Sequence, residues 1–214
     1  MSDAPERGRV AGVVAHRAAE EVRAVLRPYT IPNGITLLRL AVTPFFVLSV
    51  VEGNYELALA IFVLAGVSDV LDGLIARALA MRSPFGAYLD PIADKVLVVS
   101  AYLALTLRRP DVVTIPTWLT VLALSRDALI VLVALALYLG AGIRNFDPSV
   151  WGKATTFLHI LTIGLVLVAN LTAVPPAWLA ATFYVTLFFT IVSGLDYVRL
   201  AARTAERLYD GPKP

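Results

Sequence analysis

The chain has no cysteine. Disulfides and thiolate metal sites are therefore excluded, and any metal must be held by oxygen or by the two histidines, His16 and His159. Charge is scarce too: 16% of residues are charged, where a soluble domain carries about a quarter. Residues 1–28 lack the continuous apolar core of a secretory signal, and no internal repeat is visible along the chain. What fills the sequence instead is apolar side chain, 58% of 214 residues, with a mean hydropathy of +0.77. That composition places the chain in a membrane and leaves little of it for a separate soluble domain.

Apolar stretches at 35–51, 57–71, 87–107, 117–139, 157–171 and 178–195 give about six spans once helical ends are added, at ~20 residues per crossing. The expected fold is an all-α polytopic membrane protein. Ahead of the first span, Val14, Ala18, Val22, Val25 and Leu26 recur at helical spacing, while Arg17, Glu20, Glu21 and Arg27 fall largely elsewhere on the wheel. This pattern predicts an amphipathic helix on the membrane surface. The expected organisation is a tail and juxtamembrane helix at 1–28, a membrane domain at 29–202 and a tail at 203–214.

If Ile35 enters from the cytoplasm, the cytoplasmic segments gather Arg7, Arg9, Arg17, Arg23, Arg27, Arg77, Arg82, Arg144, Lys153, Arg199, Arg203, Arg207 and Lys213, against Arg108 and Arg109 outside. The asymmetry predicts both termini inside. Trp118, Trp151 and Trp178 fall near span ends, as interfacial anchors do.

Against this background one stretch is anomalous: "SDVLDGLIARALAMRSPFGAYLDPIADK", residues 68–95. Helical spacing puts Asp69, Asp72 and Ala76 on one face, and Gly86, Asp90 and Asp94 on another. A short turn at Arg82-Ser83-Pro84 lets the two helices bring all four carboxylates together. Four like charges in a partly desolvated cleft repel one another unless cations neutralise them. All-oxygen ligation favours Mg²⁺, Mn²⁺ or Ca²⁺, and carboxylates plus substrate phosphate oxygens are the usual way of holding Mg²⁺. Gly73, Ala76 and Gly86 leave room for close approach of a ligand or helix, and Arg77 offers planar donors suited to phosphate. The constellation points to metal-assisted phosphoryl transfer.

Those residues read D-x-x-D-G-x-x-A-R-x8-G-x-x-x-D-x-x-x-D from Asp69 to Asp94 without a departure, and this resembles the signature of the CDP-alcohol phosphatidyltransferases. The stretches "IPNGITLLRL" and "YLDPIADKVL" are similar to the glycerol-phospholipid branch, the phosphatidylglycerophosphate synthases and eukaryotic-type cardiolipin synthases. The resemblance implies a six-helix enzyme, homodimeric, in the cell (inner) membrane with its active site cytoplasmic. It implies transfer of the phosphatidyl group of CDP-diacylglycerol to an alcohol with release of CMP, with Mg²⁺ or Mn²⁺ as cofactor and no nucleic-acid partner. Carried over by position, Asp69, Asp72 and Asp90 are expected to hold metal, and Asp94 to complete the second metal site and act as general base. Asn33, Gly73, Ala76, Arg77 and Gly86 are expected to bind the CDP portion.

The acceptor is less sharply marked. Arg39 and Arg126 lie deep in their spans, deeper than snorkelling reaches comfortably, so each is expected to face a polar cavity. For Arg126 the competing reading is an ion pair with Asp127. A basic pocket of Arg126, Arg144 and Lys153 would suit a phosphate-bearing acceptor, glycerol 3-phosphate or phosphatidylglycerol. "GKATTFLH", 152–159, resembles the G-K-x-K-T-x-x-Q of phosphatidylglycerophosphate synthases, but Thr155 replaces the second Lys and His159 the Gln. "LSRDALI", 124–130, is closer to the cardiolipin synthases. Glycerol 3-phosphate is the preferred acceptor and phosphatidylglycerol the alternative. His159 is expected to hydrogen-bond across helices, and Asn33 is alternatively a plain helix cap.

Two rival classes also use membrane carboxylates. Membrane prenyltransferases hold Mg²⁺ and a lipid diphosphate with aspartates, but lack the Asp-Gly-x-x-Ala-Arg element. A cation transporter would place its ligands near the bilayer midplane, often on repeated halves, whereas these aspartates lie near one surface.

Overall fold

The computed structural model describes residues 31–78, 84–107, 109–141 and 149–209, with side chains at 37–68, 93, 95–107, 109–136 and 149–203. The proposed amphipathic helix lies outside the described residues. Six helices make up the described chain: α1 Ile31–Glu52, α2 Tyr55–Ala78, α3 Pro84–Thr106, α4 Thr117–Ala141, α5 Val150–Ala169 and α6 Pro176–Tyr209. Three stretches among the described residues are long and apolar enough to cross a bilayer, Thr117–Ala136, Val150–Ala169 and Pro176–Arg203. Shorter apolar stretches occupy Tyr55–Ser68 and Lys95–Thr106.

Each apolar run of the sequence corresponds to one of these helices, but the ends differ in an instructive way. α5 begins at Val150, ahead of the apolar run at Phe157, because Ser149 caps it: its hydroxyl accepts from the Gly152 N–H at 3.1 Å. α6 continues beyond Leu195 to Tyr209, since Arg, Ala, Glu and Leu all propagate a helix whether or not they suit lipid. Asn33 falls inside α1 rather than ahead of it, so the plain-cap reading does not hold. Pro84 opens α3, where its missing N–H costs nothing.

The described residues form two compact units. One comprises those up to Phe45 together with Ile61–Leu97; the other comprises Phe46–Ala60 with those from Val98 onward. In the first, a cavity of about 180 Å³ is lined by Leu38, Arg39 and Val42 of α1 and Ile61, Leu64, Ala65 and Ser68 of α2. Arg39 is buried and lines this cavity with mainly aliphatic neighbours and with Ser68. One turn on along α1, the Thr43 hydroxyl donates to Arg39 O at 2.8 Å.

In the second unit the chain reverses between α1 and α2 within two residues. Gly53 takes φ +81°, a left-handed conformation that glycine adopts without strain, and Asn54 donates its N–H to Ser49 O at 2.8 Å. The Asn54 side chain then accepts from the Leu57 N–H at 3.1 Å, capping α2.

The core of this unit is the meeting of α4 and α5 with α6. Gly152, Thr155, His159, Thr162, Ile163, Val166 and Leu167 form the buried stripe of α5, and Thr186, Thr190, Ser193 and Tyr197 that of α6. Where both the interface and its lipid surroundings are apolar, burial drives association weakly, and small residues with cross-helix hydrogen bonds do more. Three such bonds link α5 to α6: Thr155 Oγ1 donates to Phe189 O at 3.0 Å, His159 Nε2 pairs with Thr190 Oγ1 at 3.2 Å, and Thr162 Oγ1 with Thr186 Oγ1 at 2.9 Å. Each contributes about 0.6 kcal/mol. His159 thus has the interhelical role expected of it, and Tyr102 of α3 packs edge-on against its ring at 5.2 Å.

The loop between α3 and α4 is tied down by Asn170, the C-cap of α5. Its Oδ1 accepts from the Val113 N–H at 2.8 Å, and its Nδ2 donates to Val113 O and Val166 O, both at 2.9 Å. Asn170→Ala would leave both backbone groups of Val113 without these partners. We expect it to destabilise the fold by about 2 kcal/mol, read as a lowered midpoint of thermal unfolding of the detergent-solubilised protein. An unchanged midpoint would mean that the loop finds other partners.

Candidate active site

Asp69 and Asp72 lie on α2 and Asp90 and Asp94 on α3. On a helical rise of ~1.5 Å per residue, the first pair are separated by about 4.5 Å along the axis and the second by about 6 Å. Asp69 and Asp72 precede residues 79–83 and Asp90 and Asp94 follow them, and all four belong to the first compact unit. The side chains of the four aspartates, and of Asn33, Gly73, Ala76, Arg77 and Gly86, lie outside the described residues. Among the described side chains no group of three or more histidines and carboxylates gathers.

The donor set fits a hard divalent cation. It consists of carboxylate oxygens with no thiolate in the chain, and Mg²⁺ and Mn²⁺ prefer such ligands, leaving positions for water and substrate oxygens.

The second unit holds a buried arginine. Arg126, ten residues into α4, is buried to 8% exposure. Its Nε and Nη2 donate to Ser193 Oγ of α6 at 3.2 and 2.7 Å, and its Nη1 donates to Asp127 Oδ1 at 2.8 Å. The ion pair with Asp127, the competing reading of this arginine, is therefore present. A guanidinium has more N–H groups than those three bonds use, so the pair occupies Arg126 only in part. The Tyr197 ring centroid lies 5.7 Å from the guanidinium carbon, within the range of cation–π attraction.

Gly152, at the start of α5, brings its backbone against this cluster: a Cβ there would lie 3.2 Å from Arg126 Nη2 and 3.2 Å from Tyr197 Oη. Of the three basic residues expected to form one pocket, Arg126 therefore sits beside the segment carrying Lys153. The Lys153 side chain is exposed, and Arg144 lies outside the described residues. Ser193 and Tyr197 were missed by sequence reasoning. The available signal was a small polar residue and a tyrosine four apart within the apolar run of α6, in "VSGLDYV".

The described residues thus place two pairs of aspartates on consecutive helices. Comparison with known proteins narrows the class to one family: residues 29–192 match the CDP-alcohol phosphatidyltransferase model, and the chain belongs to that family of enzymes. It is 35% identical to a probable phosphatidylglycerophosphate synthase of Mycobacterium tuberculosis, over 95% of this chain and 90% of that protein. It is 31% identical to a CDP-diacylglycerol–glycerol-3-phosphate 3-phosphatidyltransferase of Bacillus subtilis, over 79% of this chain and 93% of the relative. A CMP-forming cardiolipin synthase of Homo sapiens is 32% identical over 86% of this chain and 65% of its own length.

Proposed function

We propose that the chain is a phosphatidylglycerophosphate synthase, moving the phosphatidyl group of CDP-diacylglycerol to glycerol 3-phosphate with release of CMP. The observation that carries this reading is the unbroken aspartate motif on α2 and α3. The similarity to the Mycobacterium tuberculosis and Bacillus subtilis proteins supports this choice of acceptor. The second reading, cardiolipin synthesis with phosphatidylglycerol as acceptor, is favoured by the Ser-Arg-Asp at 125–127, by Thr155 in place of the second Lys and by the human relative.

In the proposed mechanism Asp69, Asp72, Asp90 and Asp94 hold Mg²⁺ or Mn²⁺. The metal, when bound, supplies positive charge against the diphosphate and the departing CMP. Asn33, Gly73, Ala76, Arg77 and Gly86 bind the CDP portion, the small residues by letting the nucleotide approach backbone and Arg77 by planar donors to phosphate. Asp94 accepts the acceptor hydroxyl proton. The hydroxyl oxygen forms a bond to the lipid-side phosphorus as the bond from that phosphorus to the oxygen shared with CMP breaks, and CMP leaves with that oxygen. Positioning and charge account for the rate, as in other phosphoryl transfers, and no covalent enzyme intermediate is required.

The reading extends to the setting. All six helices cross the bilayer, preceded by the amphipathic segment of residues 1–28; the catalytic domain runs over 29–202 and residues 203–214 form a cytoplasmic tail. Both termini and the active site are cytoplasmic, the protein is a homodimer, and it resides in the cell membrane. Diacylglycerol leaves a bilayer only at a cost of ~0.8 kcal/mol per CH₂, while CDP needs water, so a site at the cytoplasmic interface serves both ends of the donor. Arg126, Arg144 and Lys153 recognise the acceptor phosphate.

The test is CMP release from CDP-diacylglycerol by the purified protein with Mg²⁺ or Mn²⁺, run in parallel with glycerol 3-phosphate, phosphatidylglycerol, inositol phosphate and serine. Release with glycerol 3-phosphate is expected. Release with phosphatidylglycerol alone would establish the second reading, and silence with every acceptor from folded, metal-binding protein would reject both.

A further inference from the structure

We infer that Ser193 and Gly152 are positioning residues for Arg126, holding its guanidinium so that its remaining N–H groups face a phosphate-bearing acceptor; this rests on the acceptor role proposed for Arg126. The geometry divides the guanidinium into two parts. One side, Nε and Nη2, is forked onto the single oxygen of Ser193 at 3.2 and 2.7 Å. The other, Nη1, reaches Asp127 at 2.8 Å. The N–H groups left over have no partner among the described residues, and phosphate oxygens are their natural complement.

The chemistry of the two partners matters. Asp127 removes part of the cost of placing a cation deep in an apolar helix. Ser193 is neutral, so it fixes the plane of the guanidinium without adding a second negative charge that would repel an anionic acceptor. Ser193 is fully buried on α6.

Gly152 completes the arrangement from α5. Arg126 Nη2 and Tyr197 Oη each lie 3.2 Å from where a Cβ of this residue would stand. A Cβ there makes the guanidinium and the phenol give by a few tenths of an ångström. The glycine also immediately precedes Lys153, so the backbone that makes room for Arg126 carries the next basic residue.

The experiment compares the full-length wild type with Arg126→Gln, Ser193→Ala and Gly152→Ala in nanodiscs. For each, KM and kcat are measured for CDP-diacylglycerol and for the acceptor, with glycerol 3-phosphate in one arm and phosphatidylglycerol in the other, alongside thermal unfolding. The arm that turns over identifies which phosphate-bearing alcohol the cluster serves. Losing the bond to a charged group is expected to raise acceptor KM about tenfold or more in Ser193→Ala, with donor KM unchanged. Gly152→Ala is the discriminating variant. Alanine favours a helix over glycine, but a Cβ 3.2 Å from Arg126 Nη2 and Tyr197 Oη makes them give by a few tenths of an ångström, so acceptor KM should rise whichever way the unfolding midpoint moves. A purely structural role for the cluster would move stability and leave the acceptor KM in place.

Acceptor KM raised by Arg126→Gln but unchanged in both Ser193→Ala and Gly152→Ala would overturn the positioning inference and leave the role of Arg126 standing. Acceptor KM unchanged in Arg126→Gln would overturn that role and the inference with it. If Ser193→Ala fails to fold, Gly152→Ala alone decides between these outcomes.

Discussion

Asp94→Asn is expected to lower CMP release by about 10²–10⁴-fold while binding of CDP-diacylglycerol in the presence of Mg²⁺ persists. An amide keeps the size and shape of the carboxylate but cannot take up a proton, so the change removes the group proposed to accept the acceptor hydroxyl proton. Asp94 is also the last aspartate of the motif, a helical turn beyond Asp90 on α3, and is assigned a share of the second metal site. The two roles separate experimentally. Retained donor binding with lost turnover identifies a base, whereas loss of both together identifies a metal ligand whose removal empties the site. Turnover at the wild-type rate would remove Asp94 from the chemistry.

Removing divalent cations with a chelator is expected to be as severe, a loss of about 10³-fold or more in CMP release, reversed by adding Mg²⁺ or Mn²⁺. The argument is electrostatic. Four carboxylates brought together beside a lipid diphosphate add negative charge to negative charge, and neither the donor nor the developing CMP anion is tolerated there without cations. Asp69→Asn and Asp72→Asn should therefore weaken donor binding and turnover together, unlike Asp94→Asn. Full activity in the chelator would show that another group neutralises the carboxylates and would sink the metal assignment.

These predictions concern residues legible from sequence because their signal is chemical incongruity. Asp69, Asp72, Asp90 and Asp94 stand out in a chain so poor in charge, and their spacing states which helix faces they share. The six helices were legible for a related reason: a bilayer demands long apolar runs, and those runs are separated by glycine, proline and charge. Helix ends were less so. The limits of α5 and α6 are set by the Ser149 cap and by the helical propensity of polar residues, neither of which registers in a count of apolar residues. The surroundings of Arg126 were half legible. Asp127 is its sequence neighbour, but Ser193 lies 67 residues away, and nothing local marks a serine in an apolar run as the partner of a distant arginine.

The last helix has a mechanical consequence. With 34 residues, α6 measures about 51 Å at ~1.5 Å per residue, against a hydrocarbon layer of ~30 Å. Crossing the bilayer as proposed, it would outreach that layer as a stiff rod even at a tilt of about 40°, with Arg199 and Arg203 in its last third. A reporter fused behind Tyr209 would be carried on that rod, clear of the bilayer surface, and its orientation would follow that of the core instead of averaging over a flexible tether.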